Sequence, residues 1–174
     1  IYDWYWYDNR PFLENCLNDG FLKARNNKDM KFCLMWANHD ATHLWDKRNS
    51  DHDLSTVIWS GVVTPEIFSN ICDRTIEKYF SCENYYMIDG CPVYMIFDID
   101  NFIRSFGTSD ECRKGIDEFR RKTVEAGFDG LHFQVVHWRN RVFNWLDDSD
   151  SNKGVDSAEM YRFLGVDSVT SYNW

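Results

Sequence analysis

The sequence lacks several features that would assign it to a class at once. None of its apolar runs approaches the ~20 residues of a transmembrane helix, so we predict no membrane span. Basic residues are in deficit, with 19 Lys and Arg against 28 Asp and Glu and a net charge of −9. Nucleic-acid binding depends on clustered Lys and Arg, so phosphate backbones are not expected partners. Neither GxGxxG nor GxxxxGK[ST] follows a predicted strand, which argues against a dinucleotide or P-loop fold.

The chain also lacks a metal-binding or disulfide pattern. Its six cysteines show no CxxC spacing and no compact framework. Cys33 lies in an apolar run and Cys72 on a predicted helix face, which is typical of small buried hydrophobic residues. His39 and His43 have the spacing of a helical ligand pair, but no third ligand follows at a suitable distance. We therefore predict no metal and no cofactor.

Aromatic residues are abundant. They make up 17% of the chain, with 8 Trp, and several stand beside acidic residues, as on a surface that stacks against sugar rings. The predicted partner is therefore an oligosaccharide or polysaccharide. The alternative is that most of these rings belong to the hydrophobic core.

The most informative stretch runs from Lys31 to Asp40. Its first part, Phe32 to Ala37, carries no charge and suits a strand that is buried on both faces. Three polar residues follow directly, Asn38, His39 and Asp40. The sequence thus predicts a buried strand with a functional site at its carboxyl end.

The rest of the chain alternates between strand and helix patterns. The Asp46 to Ser60 segment has no clear period and is predicted to be a long loop, and Asp89-Gly90 is a hairpin-like turn signal. Ser157 is predicted to cap the last helix and Gly165 to end it. The predicted strands are Ile1 to Tyr7, Lys31 to Asp40, Pro92 to Ile99, Leu131 to His137 and Val166 to Trp174; the predicted helices are Pro11 to Ala24, Thr64 to Phe80, Asp110 to Ala126 and Ala158 to Leu164.

This alternation is typical of βαβ units and a parallel sheet. We predict an α/β fold of the (β/α)8 TIM-barrel type, with about five of the eight strands present in one partial domain over residues 1–174. A strand that begins at Ile1 suggests a segment of a longer protein. Open barrel edges at the first and last strands favour self-association.

In such a barrel the functional residues lie at the carboxyl ends of the strands. Several have alternative roles. Asp8 could cap the helix predicted at Pro11, His39 and Asp40 could start a turn, and Trp36 and Trp138 could be core residues. The predicted substrate-binding residues are Tyr5, Trp6, Tyr7, Asp8, Trp36, Asn38, His39, Asp40, Asp98, His137, Trp138, Tyr172 and Asn173.

Three stretches carry a family resemblance: Tyr2 to Asp8, Pro11 to Glu14, and Lys31-Phe32 with Met35 to Asp40. With Asp89-Gly90 and Gly127 to Gly130, they resemble the glycoside hydrolase family 99-like domain, whose relatives include the WbsX-like proteins of bacterial polysaccharide clusters. The resemblance covers nearly the whole chain in order.

The resemblance implies a (β/α)8 barrel that acts on glycosides such as α-mannosides. The family's catalytic acidic pair looks to be supplied late in the barrel, in a stretch with no match in this chain. Hydrolysis needs two carboxyl groups about 5 to 9 Å apart, and only Asp40 and Asp98 are candidates here. We therefore predict that this chain alone does not hydrolyse glycosides, although a longer parent protein would.

Two other functions stay open. A glycosyltransferase or polysaccharide-biosynthesis protein is suggested by the WbsX-like relatives. A non-catalytic carbohydrate-binding protein is favoured by the absent acidic pair.

Overall fold

The computed structural model describes residues 1–45, 53–138, 142–144 and 154–171. A π-helical turn at Ile76–Phe80 continues the first α-helix, and further short helical turns occur at Cys16–Gly20, Phe21–Lys23, Asn27–Asp29 and His43–Trp45. The strands are β1 (Tyr2–Tyr7), β2 (Arg10–Phe12), β3 (Leu34–Trp36), β4 (Ala41–Thr42), β5 (Val57–Trp59), β6 (Met87–Ile88), β7 (Cys91–Ile96), β8 (His132–Val136), β9 (Val142–Asn144), β10 (Gly154–Asp156) and β11 (Ser168–Thr170). The α-helices are α1 (Pro65–Thr75), α2 (Ile99–Phe106), α3 (Ser109–Glu125) and α4 (Ser157–Leu164).

The main sheet is parallel and follows the order of the chain. Strands β1, β3, β7, β8 and β11 lie side by side in that order, each parallel to its neighbour. Strand β2 pairs antiparallel with β1, and β6 pairs antiparallel with β7. A doubly wound sheet would reverse its strand order at a switch point, and this sheet has no reversal among the described strands. The chain is therefore a mixed α/β protein with a singly wound parallel sheet.

Helices α1, α2 and α3 cover the same face of this sheet. The indole of Trp36 on β3 packs against Phe68 of α1 and Phe102 of α2. On the neighbouring strand, Tyr94 packs against Phe119 of α3. Leu34 is paired with Tyr94, so Trp36, two residues along, belongs to the same face. Large apolar side chains on this face form the core.

The prediction of a helix from Pro11 to Ala24 is wrong in its first half. Tyr7 pairs with Arg10 across a two-residue turn, and Pro11 lies in β2. The turn residues Asp8 and Asn9 have φ values of 50° and 60°, as a type I′ hairpin turn requires. Asp8 therefore does not cap a helix, and helical geometry starts only at Cys16. Of the residues whose spacing resembled a helix, Leu17 is buried, whereas Leu13 and Cys16 are exposed.

The other predicted helices are confirmed with small changes. The helix predicted over Thr64 to Phe80 consists of α1 and its π-helical extension, capped by the Thr64 hydroxyl. Asp156 rather than Ser157 caps α4, because its carboxylate accepts the N–H of Glu159. Gly165 ends α4 with a φ of 72°, as predicted. Helix α2 was not predicted, because Asp98 and Ile99 were assigned to the end of a strand.

The strand predictions are correct in position and too long at their ends. The hairpin signal at Asp89-Gly90 is confirmed by the pairing of β6 with β7. The predicted long loop contains β5, which pairs with β4, while residues 46–52 lie outside the described part. The predicted open edge of β1 is half covered, since β2 pairs with Tyr5 to Tyr7. Self-association stays a prediction.

Among the described residues, no helix is long and apolar enough to span a membrane.

Candidate functional site

The carboxyl ends of the parallel strands carry rings on the face of the sheet that α1, α2 and α3 leave uncovered. Trp4 and Trp36 point to the helices, where Trp4 bonds to Glu14 and Trp36 packs on α1. Because side chains alternate along a strand, Tyr5 on β1 points to the opposite face. Phe97, the residue directly after Ile96 at the end of β7, points to the same face as Tyr5.

These rings form a continuous row across four neighbouring strands. The ring centroids of Tyr5 and His39 are 6.0 Å apart, those of His39 and Phe97 5.4 Å, and those of Phe97 and Trp138 4.8 Å. The indole N–H of Trp138 donates to the Phe97 carbonyl at 3.2 Å. All four side chains are partly exposed. We refer to Tyr5, His39, Phe97 and Trp138 as the aromatic row.

The carboxylate of Asp40 directly follows His39, a member of the aromatic row, in the sequence. Asp40 Oδ1 accepts the backbone N–H of Gly61 at 2.8 Å and the hydroxyl of Ser60 at 3.5 Å. Gly61 is needed for this approach, because a Cβ there would lie 2.1 Å from the carbonyl oxygen of Asn38. The loop after β5 therefore holds Asp40 in a fixed orientation.

Asn38 does not reach the surface. Its side chain is fully buried, donates to the Asp98 carbonyl at 2.6 Å and accepts the Asp98 N–H at 2.7 Å. Asn101 donates to the Asn38 carbonyl at 2.9 Å. Its amide therefore joins the end of β3 to the start of α2, and a role of Asn38 in substrate binding stays a prediction.

Asp98 has a structural role as well. Its carboxylate caps α2 by accepting the N–H groups of Asp100 at 3.0 Å and Asn101 at 3.1 Å. A carboxylate at a strand end needs a partner, and the partner here is the helix that the sequence analysis missed. Both cap bonds are made by Oδ1, and the predicted roles of Asp98 in substrate binding and catalysis stay predictions.

Four further predicted residues are Trp36, His137, Tyr172 and Asn173. Trp36 is fully buried against Phe68 and Phe102, so its ring packs in the core, the alternative role named for it above, and its part in substrate binding stays a prediction. His137 is partly exposed, and its Nδ1 lies 3.2 Å from the Tyr161 hydroxyl. Tyr172 and Asn173 lie outside the described residues.

Trp6, Tyr7 and Asp8 lie beside the aromatic row, at the β1–β2 hairpin. Tyr7 is 3% exposed and donates its hydroxyl to the His39 carbonyl at 2.8 Å. Burial raises the pKa of Tyr7, and the neighbouring Tyr5 and Asp40 raise it further, so the phenol stays a hydrogen-bond donor. Together with Trp59 of β5, these residues line a cleft of about 310 Å³.

Two ring residues near this edge were missed by the sequence analysis, Phe97 and Trp59. The signal for Phe97 was present, since Met95 and Phe97 alternate with the helix-facing residues of β7. Trp59 had no such signal, because its segment shows no period. It stacks on Tyr7 with centroids 5.8 Å apart only because β5 pairs with β4.

A further missed residue is Glu14, on the helix side of the sheet. It is 8% exposed and accepts bonds from Trp4 Nε1 at 2.9 Å, Arg74 Nε at 3.0 Å and the Tyr79 hydroxyl at 2.9 Å. Burial by itself would raise the pKa of Glu14, but these hydrogen bonds outweigh it and lower the pKa to about 2. This carboxylate joins β1 to α1 and takes no part in the aromatic row.

Within the part of the chain that the structure describes, no three His, Cys, Asp or Glu side chains are grouped as metal ligands. A family model described as glycosyltransferase WbsX matches residues 1–167. No curated protein and no solved structure matches the chain.

Proposed function

The chain belongs to the WbsX glycosyltransferase family, and from that premise we propose that it binds an oligosaccharide or polysaccharide along the aromatic row. The observation that carries the proposal is the row itself: Tyr5, His39, Phe97 and Trp138 come from four neighbouring strands and meet at one edge. If these four side chains only packed in the hydrophobic core, they would not need to be partly exposed, as each of them is.

The chemistry of the row suits sugar rings. Partly exposed aromatic faces cover the apolar C–H faces of pyranoses, while polar tips bind the hydroxyl groups. Asp40, held through Oδ1 by Gly61, is the carboxylate that we assign to hydroxyl binding. The surplus of acidic residues matches a neutral ligand better than an anionic one.

We also propose that the domain, residues 1–167 or more, is part of a (β/α)8 barrel. The support is the strand order, which follows the chain without reversal, and the three helices on one face. In a barrel of this type the uncovered face becomes the interior, and the ends of the strands form the ligand site. The aromatic row then lies where barrel enzymes bind their substrates.

Glycosyl transfer is the second candidate function, favoured by the description of the family. Hydrolysis of α-mannosides, implied by the resemblance to glycoside hydrolase family 99, would need an opposed carboxylate pair. Asp40 and Asp98 are the two candidates for this pair, and Asp98 accepts the hydrogen bonds that cap α2. We therefore assign glycan binding to these residues and no bond cleavage.

Substitutions in the row test this function. Tyr5→Ala and Trp138→Ala should each weaken the binding of a manno-oligosaccharide about tenfold, because each removes one stacking surface. Isothermal titration calorimetry at millimolar oligosaccharide, with the 174-residue chain, measures the effect directly.

Tyr86→Ala is the matched control. Tyr86 is an exposed aromatic residue, 45% accessible. Its backbone N–H donates to the carbonyl of Phe32, which precedes β3, at the end of the sheet opposite to the row. This variant should bind as the wild type does. Equal affinity in all three variants, or no heat of binding in the wild type, would rule the proposal out.

A further inference from the structure

Beside the aromatic row, the β1–β2 hairpin, β5 and the segment from β5 into α1 enclose a cleft, which we call the hairpin cleft. Its lining consists of Trp6, Tyr7, Asp8, Asn9, Ile58, Trp59, Ser60, Val62, Val63 and Ile67. We infer that the hairpin cleft is a second saccharide-binding site, which holds one pyranose unit of the same glycan that lies on the row. The inference rests on the proposed function and extends it to a second subsite.

The first argument is the exposed indole of Trp59. Its ring is stacked on Tyr7 at an interplanar angle of 27° and lies 5.4 Å from the ring of Phe12. Despite these two contacts the residue is 39% exposed. A tryptophan that is fixed on one side by other rings and accessible on another is a preorganised surface for stacking, because little side-chain freedom is lost on binding.

The second argument is the polar rim of the cleft. The turn residues Asp8 and Asn9 are exposed, and both adopt positive φ values. Ser60 lies on the other side and donates to Asp40. The Asp8 carboxylate and the Asn9 amide provide acceptors and donors for sugar hydroxyl groups at the rim, while Ile58, Val62, Val63 and Ile67 form an apolar wall.

The third argument is continuity with the aromatic row. Tyr7 contacts the row through Tyr5, at a centroid distance of 6.1 Å, and contacts the cleft through Trp59. Its hydroxyl also fixes the His39 backbone. The row and the cleft therefore share one wall, so that one oligosaccharide can pass from the rings of the row to Trp59.

The volume fits this occupant. A cleft of about 310 Å³ is at the small end of the range for ligand pockets, ~300–1,000 Å³, and suits a single ring better than a peptide segment. The occupant is therefore a terminal or branching sugar unit, and the contact is made only by glycans long enough to reach past Tyr7.

Titration with manno-oligosaccharides of two to six units tests the inference. Wild-type affinity should rise at the length that reaches the cleft, and Trp59→Ala should remove that rise, about tenfold, while binding of the shortest sugars is unchanged. Trp59→Phe, which keeps a ring on Tyr7, should retain most of the rise.

A second variant tests the hairpin cleft without disrupting the hairpin. Asn9→Gly removes the rim amide, and glycine is the residue that a type I′ turn prefers at this position, so the hairpin is retained. This variant should lose a few-fold in affinity for long sugars only. Thermal unfolding of each variant identifies any that lose affinity because the hairpin is disrupted.

The outcomes separate the two proposals. If Tyr5→Ala weakens all sugars and Trp59→Ala weakens none, the row binds glycan and the cleft does not, which overturns this inference alone. If no oligosaccharide binds the wild type, both proposals fail. If Trp59→Ala instead abolishes self-association of the chain and leaves glycan binding intact, the cleft is a protein interface and the inference is wrong.

Discussion

Glu14 shows what a single buried carboxylate does in this protein. Arg74 and Tyr79 on the first helix, and Trp4 on the first strand, all donate to it. Removal of one buried ionic partner leaves the other groups without a hydrogen-bond partner. The free-energy cost of that loss is larger than the net stabilisation that the ion pair provides. The β1 end of the sheet and α1 are therefore coupled through one side chain.

At the scale of this residue we expect Glu14→Ala to destabilise the fold by about 3 to 5 kcal/mol, measured by urea unfolding at pH 7. Glu77→Gln, on an exposed side chain in the extension of the same helix, should change stability by less than about 0.5 kcal/mol. Equal midpoints for wild type and Glu14→Ala would contradict this assignment.

The pH dependence of stability provides an independent test of Glu14. Its pKa falls from an ordinary 4.5 to about 2 on folding, so the carboxylate contributes about 3 kcal/mol above pH 4.5. That contribution is lost as the pH falls from 4.5 towards 2. The stability difference between wild type and Glu14→Gln should therefore be less than half as large at pH 3 as at pH 7. A difference independent of pH would show that the charge of Glu14 is not the cause.

At the scale of an element, the three consecutive side chains after β3 have three different roles. Asn38 joins strand to helix, His39 belongs to the aromatic row, and Asp40 bonds to the loop at Gly61. The polar character of this triplet was evident from the sequence. Which of the three reaches solvent depends on α2 and on β5, two elements whose formation the sequence did not indicate.

Substitution of Gly61 tests this arrangement of the segment after β3. A methyl group at Gly61 would lie 2.1 Å from the Asn38 carbonyl, so Gly61→Ala should displace the strand end, lower stability by about 1 to 3 kcal/mol and weaken oligosaccharide binding. Gly20→Ala is the matched control, since no atom lies within 4 Å of its added Cβ and its φ is −95°. Calorimetric unfolding and sugar titration of both variants should separate them, and identical behaviour would refute the close-approach argument.

For the whole molecule, the strand and helix alternation was sufficient to predict the parallel sheet. The hydrophobic runs of Phe32 to Ala37 and Pro92 to Ile96 are buried as expected. The hairpin at Asp8 and Asn9 was missed because Pro11 is as compatible with an edge strand as with a helix start. The sequence did not show which polar groups at strand ends form helix caps or strand-to-helix joints, as Asp98 and Asn38 do, because these bonds depend on α2.

We expect the 174-residue chain to release no 4-nitrophenol from 4-nitrophenyl α-mannoside. Asp98 is held by the first N–H groups of α2, and Asp40 is bonded through Oδ1 to Gly61. Neither arrangement provides the acid and nucleophile pair of a glycosidase. Turnover that Asp40→Asn abolishes, measured by absorbance at saturating substrate, would show that the reaction assignment is wrong.

Each parallel strand lies beside the one that precedes it in the chain, and this order governs how the protein can form during synthesis. Every new strand meets an edge that the ribosome has already released, so no strand has to wait for a distant partner. The loop closed at each addition is the segment between two consecutive parallel strands, and the entropic cost of closing a loop rises only slowly with its length. Growth in one direction adds one new exposed strand edge at a time beside the half-covered edge of β1, which limits the sheet surface open to other chains.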